Sequence, residues 1–233
     1  MADPSMAGDG GTRLVWDLPL RIFHWLLVAC IAGSWLTHEL GVRWFAWHAR
    51  IGCVTLVLVA FRIAWGFVGP RHARFTSFLR GPAAVLAYLR GEGPTPAGHN
   101  PLGALGVVLM LALLLAQALS GLFANDEILD TGPLYGYVSD GQSDRLTGLH
   151  EANFNALLAL IAIHVAAIGW HRWHKHVDLV RPMLTGRKPA GQVPAGEEIE
   201  GHRLWLAAVL VVLAAVALWR VIATAPPASM SLY

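Results

Sequence analysis

Charged residues and cysteines are scarce in this chain. Of its 233 residues, 14% are charged and 55% are hydrophobic, whereas a soluble domain is typically about a quarter charged. The composition therefore predicts an integral membrane protein. The only two cysteines, Cys30 and Cys53, lie in apolar runs, which argues against a disulfide scaffold. There is no Cys-x-x-Cys-His motif, and the net charge is only +2. We therefore expect neither a covalently attached c-type haem nor a nucleic-acid partner.

Long apolar stretches dominate the chain instead. Five of them approach the roughly 20 residues that a membrane-spanning helix needs, and they cover residues 20–38, 47–68, 102–123, 149–170 and 204–222. We interpret the first as a helix rather than a signal peptide, because it has no clear Ala-x-Ala cleavage site. The prediction is an all-α membrane helical bundle, with a disordered segment at 1–12, a four-helix domain over 13–188, and a linker and fifth helix over 189–233.

Basic residues divide unevenly between the two sides of such a bundle. With the N-terminus inside, twelve Lys and Arg residues fall in inner segments and four in outer ones. Because these residues favour the cytoplasmic side, we predict a multi-pass protein of the bacterial cytoplasmic membrane, with a cytoplasmic N-terminus and an external C-terminus.

Two connections have a recognisable character. Residues 78–90 place leucines between Arg80 and Arg90, which predicts a short helix lying on the inner membrane surface. The outer connection, 124–148, is acidic, with turns predicted at Gly132-Pro133 and at Asp140-Gly141. Its carboxylates either dock a basic partner such as a cytochrome c or only keep the outer surface soluble.

Four histidines fall inside or at the ends of the apolar stretches. They are His24, His48, His150 and His164. Fourteen residues of helix rise about 21 Å and fall about 40° short of four full turns, so His150 and His164 lie on nearly one face at two depths. His48 matches the depth of His150, and His24 matches that of His164. We predict an outer pair, His48 with His150, and an inner pair, His24 with His164.

Two imidazoles at each depth favour haem as the bound group. An apolar macrocycle fits between helices, and two axial imidazoles saturate its iron, which favours electron transfer. Zinc would need four ligands at each depth, and copper explains the pattern less well. The alternative is that the histidines only form hydrogen bonds between helices, which a single membrane histidine often does.

Four arginines are candidates for binding haem propionates. Arg62 follows His48 by 14 residues, so it should face the inner pair. The alternative is that Arg62 extends to the inner lipid headgroups. Arg21 is a second inner candidate, and Arg50 and Arg145 are the outer ones.

The other seven histidines carry weaker signals. His38, His72, His99 and His202 are expected at the surface or among headgroups. His171, His174 and His176 form a cluster that either binds a metal or relays protons to a quinone, or is a lipid-facing anchor.

Several short motifs resemble those of the bacterial cytochrome b561 and nickel–iron-hydrogenase b-type cytochrome family. They are Val15-Trp16-Asp17, Arg21-Ile22-Phe23-His24-Trp25, His48-Ala49-Arg50-Ile51-Gly52, Arg62-Ile63-Ala64-Trp65-Gly66-Phe67-Val68-Gly69-Pro70, Gly98-His99-Asn100-Pro101-Leu102-Gly103, His150-Glu151, His164-Val165 and Leu184-Thr185-Gly186-Arg187-Lys188. The resemblance implies a four-helix core with two b-type haems, axial roles for the same four histidines, and electron exchange between a partner redox protein and the quinone pool. The fifth helix departs from the smaller members, which have four.

We therefore expect an electron-transfer subunit of a membrane oxidoreductase, working between an external partner, such as a cytochrome c or a hydrogenase-like subunit, and quinone. The second hypothesis is a stand-alone quinone-linked oxidoreductase that oxidises a small external reductant such as superoxide, with Arg50 and Arg145 attracting the anion. A third class, a transporter or scaffold without redox activity, would leave the paired histidines unexplained.

Overall fold

The computed structural model describes residues 11–92, 96–126 and 130–227. Over these ranges the chain forms eight α-helices and two short strands. The helices are α1 (Leu18–Glu39), α2 (Phe45–Val68), α3 (Phe75–Phe78), α4 (Pro82–Leu89), α5 (Pro101–Gly121), α6 (Asp140–His174), α7 (Val180–Thr185) and α8 (Leu204–Ala223). The strands are β1 (Thr12–Leu14) and β2 (Arg187–Pro189). Residues 1–10, most of the segment predicted to be disordered, lie outside the described residues, and Thr12 already belongs to β1.

Five of the helices, α1, α2, α5, α6 and α8, are long and apolar enough to cross a membrane. The all-α membrane architecture predicted from the sequence is therefore confirmed. The observed ends of α1, α2, α5 and α8 agree with the predicted ones to within two residues. The apolar runs set these bounds, because a segment in hydrocarbon must satisfy its own backbone hydrogen bonds, and an α-helix does so within one segment.

Helix α6 is much longer than its apolar run. It has 35 residues and starts at Asp140, so the predicted turn at Asp140-Gly141 is wrong. The reason is a capping interaction: the backbone N–H of Ser139 donates to Gln142 Oε1 at 3.0 Å, as in a capping box. Asp140 in the first turn also stabilises the helix, because its negative charge lies at the positive end of the helix dipole. The other predicted turn, at Gly132-Pro133, is confirmed by the hydrogen bond from Tyr135 N–H to Gly132 O, 3.0 Å.

The chain divides into two compact units, each containing parts of the long helices. The first comprises Met1–Ile22, Ala64–Val108 and Ile163–Trp205, and the second comprises Phe23–Ile63, Leu109–Ala162 and Leu206–Tyr233.

The first unit contains the strand pair. β1 and β2 are antiparallel, with Arg13 opposite Lys188. Gly186 precedes β2 with a φ of 82°, a conformation that glycine adopts without strain. A Cβ at this position would also meet the carbonyl oxygen of Trp16 at 2.7 Å. The Gly186 carbonyl accepts the N–H groups of Val15 and Trp16 at 2.8 and 3.0 Å. Gly186 thus fixes the approach to α1, a long-range contact that the sequence did not predict.

Two histidines of the first unit contradict the expected surface placement. His72 is buried, and its Nε2 lies 2.6 Å from the carbonyl oxygen of Glu197. Burial lowers the pKa of His72, so the neutral imidazole is favoured. His99 is half-buried and packs between the rings of Trp16 and Phe78, at centroid distances of 4.7 and 4.8 Å. The cause in each case is a segment distant in sequence that covers the imidazole.

The predicted surface helix at 78–90 is shorter than expected. Phe78 ends α3, and α4 begins at Pro82, because proline fits the first helical position but cannot continue a helix. Leu86 and Leu89 are exposed on α4, as an interfacial helix requires. Its position on a membrane surface remains a prediction.

Asp17 supports the start of α1, and its removal should destabilise the protein. It is 1% exposed, and its Oδ1 accepts hydrogen bonds from Leu20 N–H at 2.9 Å and Trp65 Nε1–H at 3.1 Å. Asp17→Ala leaves both donors without that acceptor, which should cost about 1–3 kcal/mol. We expect a lower midpoint of thermal denaturation in detergent.

Asp17→Asn is the matched control, because its amide oxygen keeps the position of the acceptor. It should lose less stability than Asp17→Ala. Equal midpoints for the two variants would contradict this role of the Oδ1 atom.

Candidate functional site

His48 lies in the first turns of α2 and is held by α1. The imidazole is half-buried, and its Nδ1 lies 2.9 Å from the backbone carbonyl oxygen of Ser34. A carbonyl can only accept, so Nδ1 carries the proton and donates. The other ring nitrogen, Nε2, therefore keeps its lone pair for a ligand.

His150 lies on α6 and is held by α5 in the same way. Its Nδ1 lies 2.9 Å from the carbonyl oxygen of Gln117 and 3.2 Å from Ser120 Oγ. The imidazole is half-buried. Its Nε2, like that of His48, keeps its lone pair. In metalloproteins this backbone contact fixes the ring and the tautomer of a ligating histidine.

The fold brings these two imidazoles together. Their ring centroids are 6.1 Å apart, and the ring planes are inclined at 74°. Two imidazoles bonded to opposite sides of one metal ion, at about 2.0–2.1 Å per bond, would have centroids roughly 6.3 Å apart. The observed separation thus fits two axial ligands of one metal.

The surroundings of the pair fit haem better than a bare ion. Within the described ranges no three His, Cys, Asp or Glu residues are grouped so that they could hold a metal ion, so the pair lacks the further ligands of a zinc site. Gly52, one turn after His48, has no atom within 4 Å of where a Cβ would lie. Open space on the histidine side of α2 suits an apolar macrocycle.

Gly121, the last residue of α5, gives His150 its room. A Cβ built on Gly121 would lie 2.8 Å from His150 Cε1, which is closer than non-bonded atoms approach. The imidazole can keep its position only because residue 121 has no side chain.

The other predicted pair is distributed over the two units. His24 belongs to the second unit and is half-buried, with its ring edge-on to Trp25 at 5.0 Å. His164 belongs to the first unit and is exposed on α6. An exposed imidazole within an apolar span is costly in hydrocarbon unless something polar or a ligated group covers it. That these two form a pair remains a prediction.

Arg62 is enclosed by protein. It is 2% exposed, so it does not extend to the lipid headgroups, the alternative considered from the sequence. The contact between Arg62 and a haem propionate remains a prediction.

The other three arginines have varied environments. Arg21 donates to the carbonyl of Leu184 at the end of α7. The guanidinium of Arg50 lies 5.1 Å from the ring centroid of Trp47 and is exposed. Arg145 is exposed in the second turn of α6. A propionate contact of any of the three remains untested.

The histidine cluster after the apolar part of α6 does not converge. His171 contacts Ala167 O at 2.8 Å and Tyr88 OH at 3.4 Å. His174 lies against the Trp170 ring, with centroids 3.9 Å apart. The separate partners favour the lipid-facing anchor over a shared metal site.

Sequence reasoning missed the residues that hold the His48–His150 pair. Gln117 is bonded through its side chain as well, since Asn153 Nδ2 donates to its Oε1 at 2.6 Å and to Leu113 O at 2.9 Å. The sequence did contain an indication of these contacts, because side-chain amides such as those of Gln117 and Asn153 are rare in spanning helices and normally face a polar partner.

Filling the space at Gly121 should disturb His150 selectively. We expect Gly121→Ala to displace the imidazole and to lower the amount of haem bound per chain, measured by haem absorbance of the purified protein.

Gly106→Ala is the control for this prediction. It makes the same change on the same helix, but its Cβ would meet no atom within 4 Å, so haem content should stay at the wild-type level. Equal haem contents in the two variants would contradict a role for Gly121 in placing His150.

Comparison with known proteins identifies the family of the chain. Residues 15–186 match the family model described as prokaryotic cytochrome b561. The chain is 25% identical, over 215 residues, to a probable Ni/Fe-hydrogenase B-type cytochrome subunit of Rhodobacter capsulatus, and the match covers 75% of this chain and 80% of that protein. Because the family model spans well over half of the chain, the protein belongs to the prokaryotic cytochrome b561 family and is a multi-pass membrane cytochrome of the b type that acts in electron transfer.

Proposed function

We propose that the protein carries electrons across the cytoplasmic membrane through two b-type haems, between an external redox partner and the quinone pool. The observation that carries this proposal is the arrangement of His48 and His150. Their rings are 6.1 Å apart, and each Nδ1 is bound to a backbone carbonyl. Both Nε2 atoms are thereby available to one iron.

The second haem rests on the spacing along α6. His150 and His164 belong to one uninterrupted helix, so 14 residues separate them by about 21 Å along its axis and leave them on nearly the same face. With His24 as the partner of His164, the protein has two haems at different depths.

The residues of the site have distinct tasks. Each haem would supply an iron that changes between the ferric and ferrous states and passes one electron at a time. His48 and His150 would hold one haem through their Nε2 atoms, and with both imidazoles bound its iron would have little room for oxygen or water. Ser34 and Gln117 fix the two rings through their carbonyls, and Gly121 leaves His150 the room to keep its place.

The orientation follows from the distribution of basic residues. It puts the His48–His150 haem on the external side and the His24–His164 haem on the cytoplasmic side, with the C-terminus external. An external partner would then meet the former haem first.

A hydrogenase-like subunit or a cytochrome c is the proposed partner. The relative of Rhodobacter capsulatus is named as a subunit of a Ni/Fe-hydrogenase, which favours the first. Exposed carboxylates on the connection before α6 and in its first turns, among them Asp130, Asp140 and Asp144, would favour a basic partner by speeding its approach.

The second candidate function is oxidation of superoxide by the protein alone. Two superoxide ions would each give up one electron, and one quinone would take up two electrons and two protons. The observation in its favour is that Arg50 and Arg145 are both exposed, so that their charges can attract an anion.

Haem content is the decisive test of the proposal. We expect two b-type haems per chain by haem quantification and a reduced-minus-oxidised spectrum. His48→Ala and His150→Ala should lose the same haem, and His24→Ala and His164→Ala should lose the other.

His38→Ala is the control. The ring of His38 lies 6.3 Å from that of His48, but its side chain is exposed at the end of α1, so this variant should keep both haems. A wild-type protein with fewer than two haems per chain would refute the two-haem model.

The two candidate functions differ in what the purified protein does alone. Under the leading proposal, we expect quinol to reduce the haems of the purified protein in anaerobic solution. We expect superoxide to reduce quinone no faster with the protein than without it. Rapid superoxide-dependent quinone reduction, slowed by Arg50→Gln and Arg145→Gln but not by Arg220→Gln, would establish the second candidate instead.

A further inference from the structure

A buried hydroxyl shares the carbonyl that holds His48. Thr37 is 7% exposed, and its single hydroxyl proton is shared between the carbonyl oxygens of Gly33 and Ser34, which lie 2.7 and 3.0 Å from Oγ1. The Ser34 carbonyl is also the acceptor for His48 Nδ1, at 2.9 Å. One backbone oxygen of α1 thus serves both the hydroxyl and the imidazole.

The same arrangement recurs around His150. Ser120 is 4% exposed, and its single hydroxyl proton is shared between the carbonyl oxygens of Ala116 and Gln117, which lie 2.7 and 3.1 Å from Oγ. The Gln117 carbonyl accepts from His150 Nδ1 at 2.9 Å. In both helices the shared oxygen belongs to the residue three positions before the hydroxyl.

Ordinary back-bonding accounts for only part of this geometry. Ser and Thr hydroxyls in a helix often donate a hydrogen bond to the backbone carbonyl four residues earlier. Thr55 on α2 is such a case: it is 8% exposed, and its Oγ1 donates to Ile51 O at 2.9 Å. The double contact itself is also ordinary, since Thr224 Oγ1 lies 2.9 and 3.3 Å from the carbonyl oxygens of Arg220 and Val221. Thr37 and Ser120 differ from these threonines because an imidazole shares one of their carbonyls.

Sharing the oxygen weakens the hydrogen bond of the imidazole. A carbonyl has two lone pairs, and within a helix one of them already serves the N–H four residues later. The hydroxyl and the imidazole then compete for the remaining acceptor capacity. A weaker Nδ1–H···O bond leaves the ring a poorer electron donor to a metal at Nε2, because a strong bond at the distal nitrogen raises ligand basicity.

We propose that Thr37 and Ser120 are positioning residues that tune the haem held by His48 and His150, raising its reduction potential by competing for the carbonyls that accept from Nδ1. This rests on the proposed function. Second-shell hydrogen bonding is one of the means by which a protein sets a haem potential, and here two hydroxyls act on the two ligands of one iron in the same direction.

The test is a redox titration of the full-length protein. Thr37→Val removes the hydroxyl and keeps the branched shape, so the His48 hydrogen bond should strengthen. We expect the midpoint potential of one haem, the one lost in His48→Ala, to shift downward, and that of the other haem to stay unchanged. The electron paramagnetic resonance signal of the same ferric haem should shift as well.

Ser120→Ala should move the same haem in the same direction. The expected shift is smaller than for Thr37→Val, because Ser120 Oγ also lies 3.2 Å from His150 Nδ1 and its loss removes a weak acceptor together with the competitor. The double variant should shift further than Thr37→Val alone.

Thr55→Val is the matched control, and Thr37→Ser tests rescue. Both should keep wild-type potentials, the first because its carbonyl holds no histidine and the second because it retains the hydroxyl. If Thr37→Val leaves both potentials unchanged, or shifts them no more than Thr55→Val, the inference is wrong and the hydroxyls are only structural. A wild-type protein without haem would instead refute the proposed function.

Discussion

Imidazoles in a membrane must have both ring nitrogens satisfied, and the rest of the site follows from how this chain meets that requirement. Hydrocarbon offers no water, so a bare N–H would cost several kcal/mol. His48 and His150 each place Nδ1 on a backbone carbonyl of a neighbouring helix. This contact leaves Nε2 as the only nitrogen open to a metal, and it fixes the direction in which that nitrogen points.

The hydrogen bonds from the two imidazoles to backbone carbonyls require close packing against α1 and α5. Helices that approach closely enough for an imidazole to reach a backbone oxygen tolerate little side-chain bulk between them, which is why residue 121 must be glycine beside His150. The hydroxyls of Thr37 and Ser120 bond to carbonyls of their own helices. The side chains of Asn153 on α6 and Gln117 on α5 bond to each other. The polar network and the candidate metal site are therefore one structure.

The sequence predicted the spanning helices well and the connections poorly. A spanning helix is a local consequence of composition, so the ends of α1, α2, α5 and α8 could be read to within two residues. The early start of α6 depended on one side chain, Gln142, folding back to Ser139. The pairing of β1 with β2 depended on two segments that are far apart in the sequence. The predicted surface placement of His72 was wrong for the same reason, since the segment that buries it follows more than a hundred residues later.

The sequence by itself determined which residue types stand at which depth. The apolar runs, the 14-residue spacing on α6 and the histidines at the ends of the runs required only helix geometry. Tertiary structure alone decided that the rings of His48 and His150 lie 6.1 Å apart, that Ser34 and Gln117 hold them, and that Arg62 is enclosed by protein rather than by lipid headgroups. The physical reason is that depth is set by position along one helix, whereas contact depends on the rotation of each helix and its distance from its neighbours, which only packing fixes.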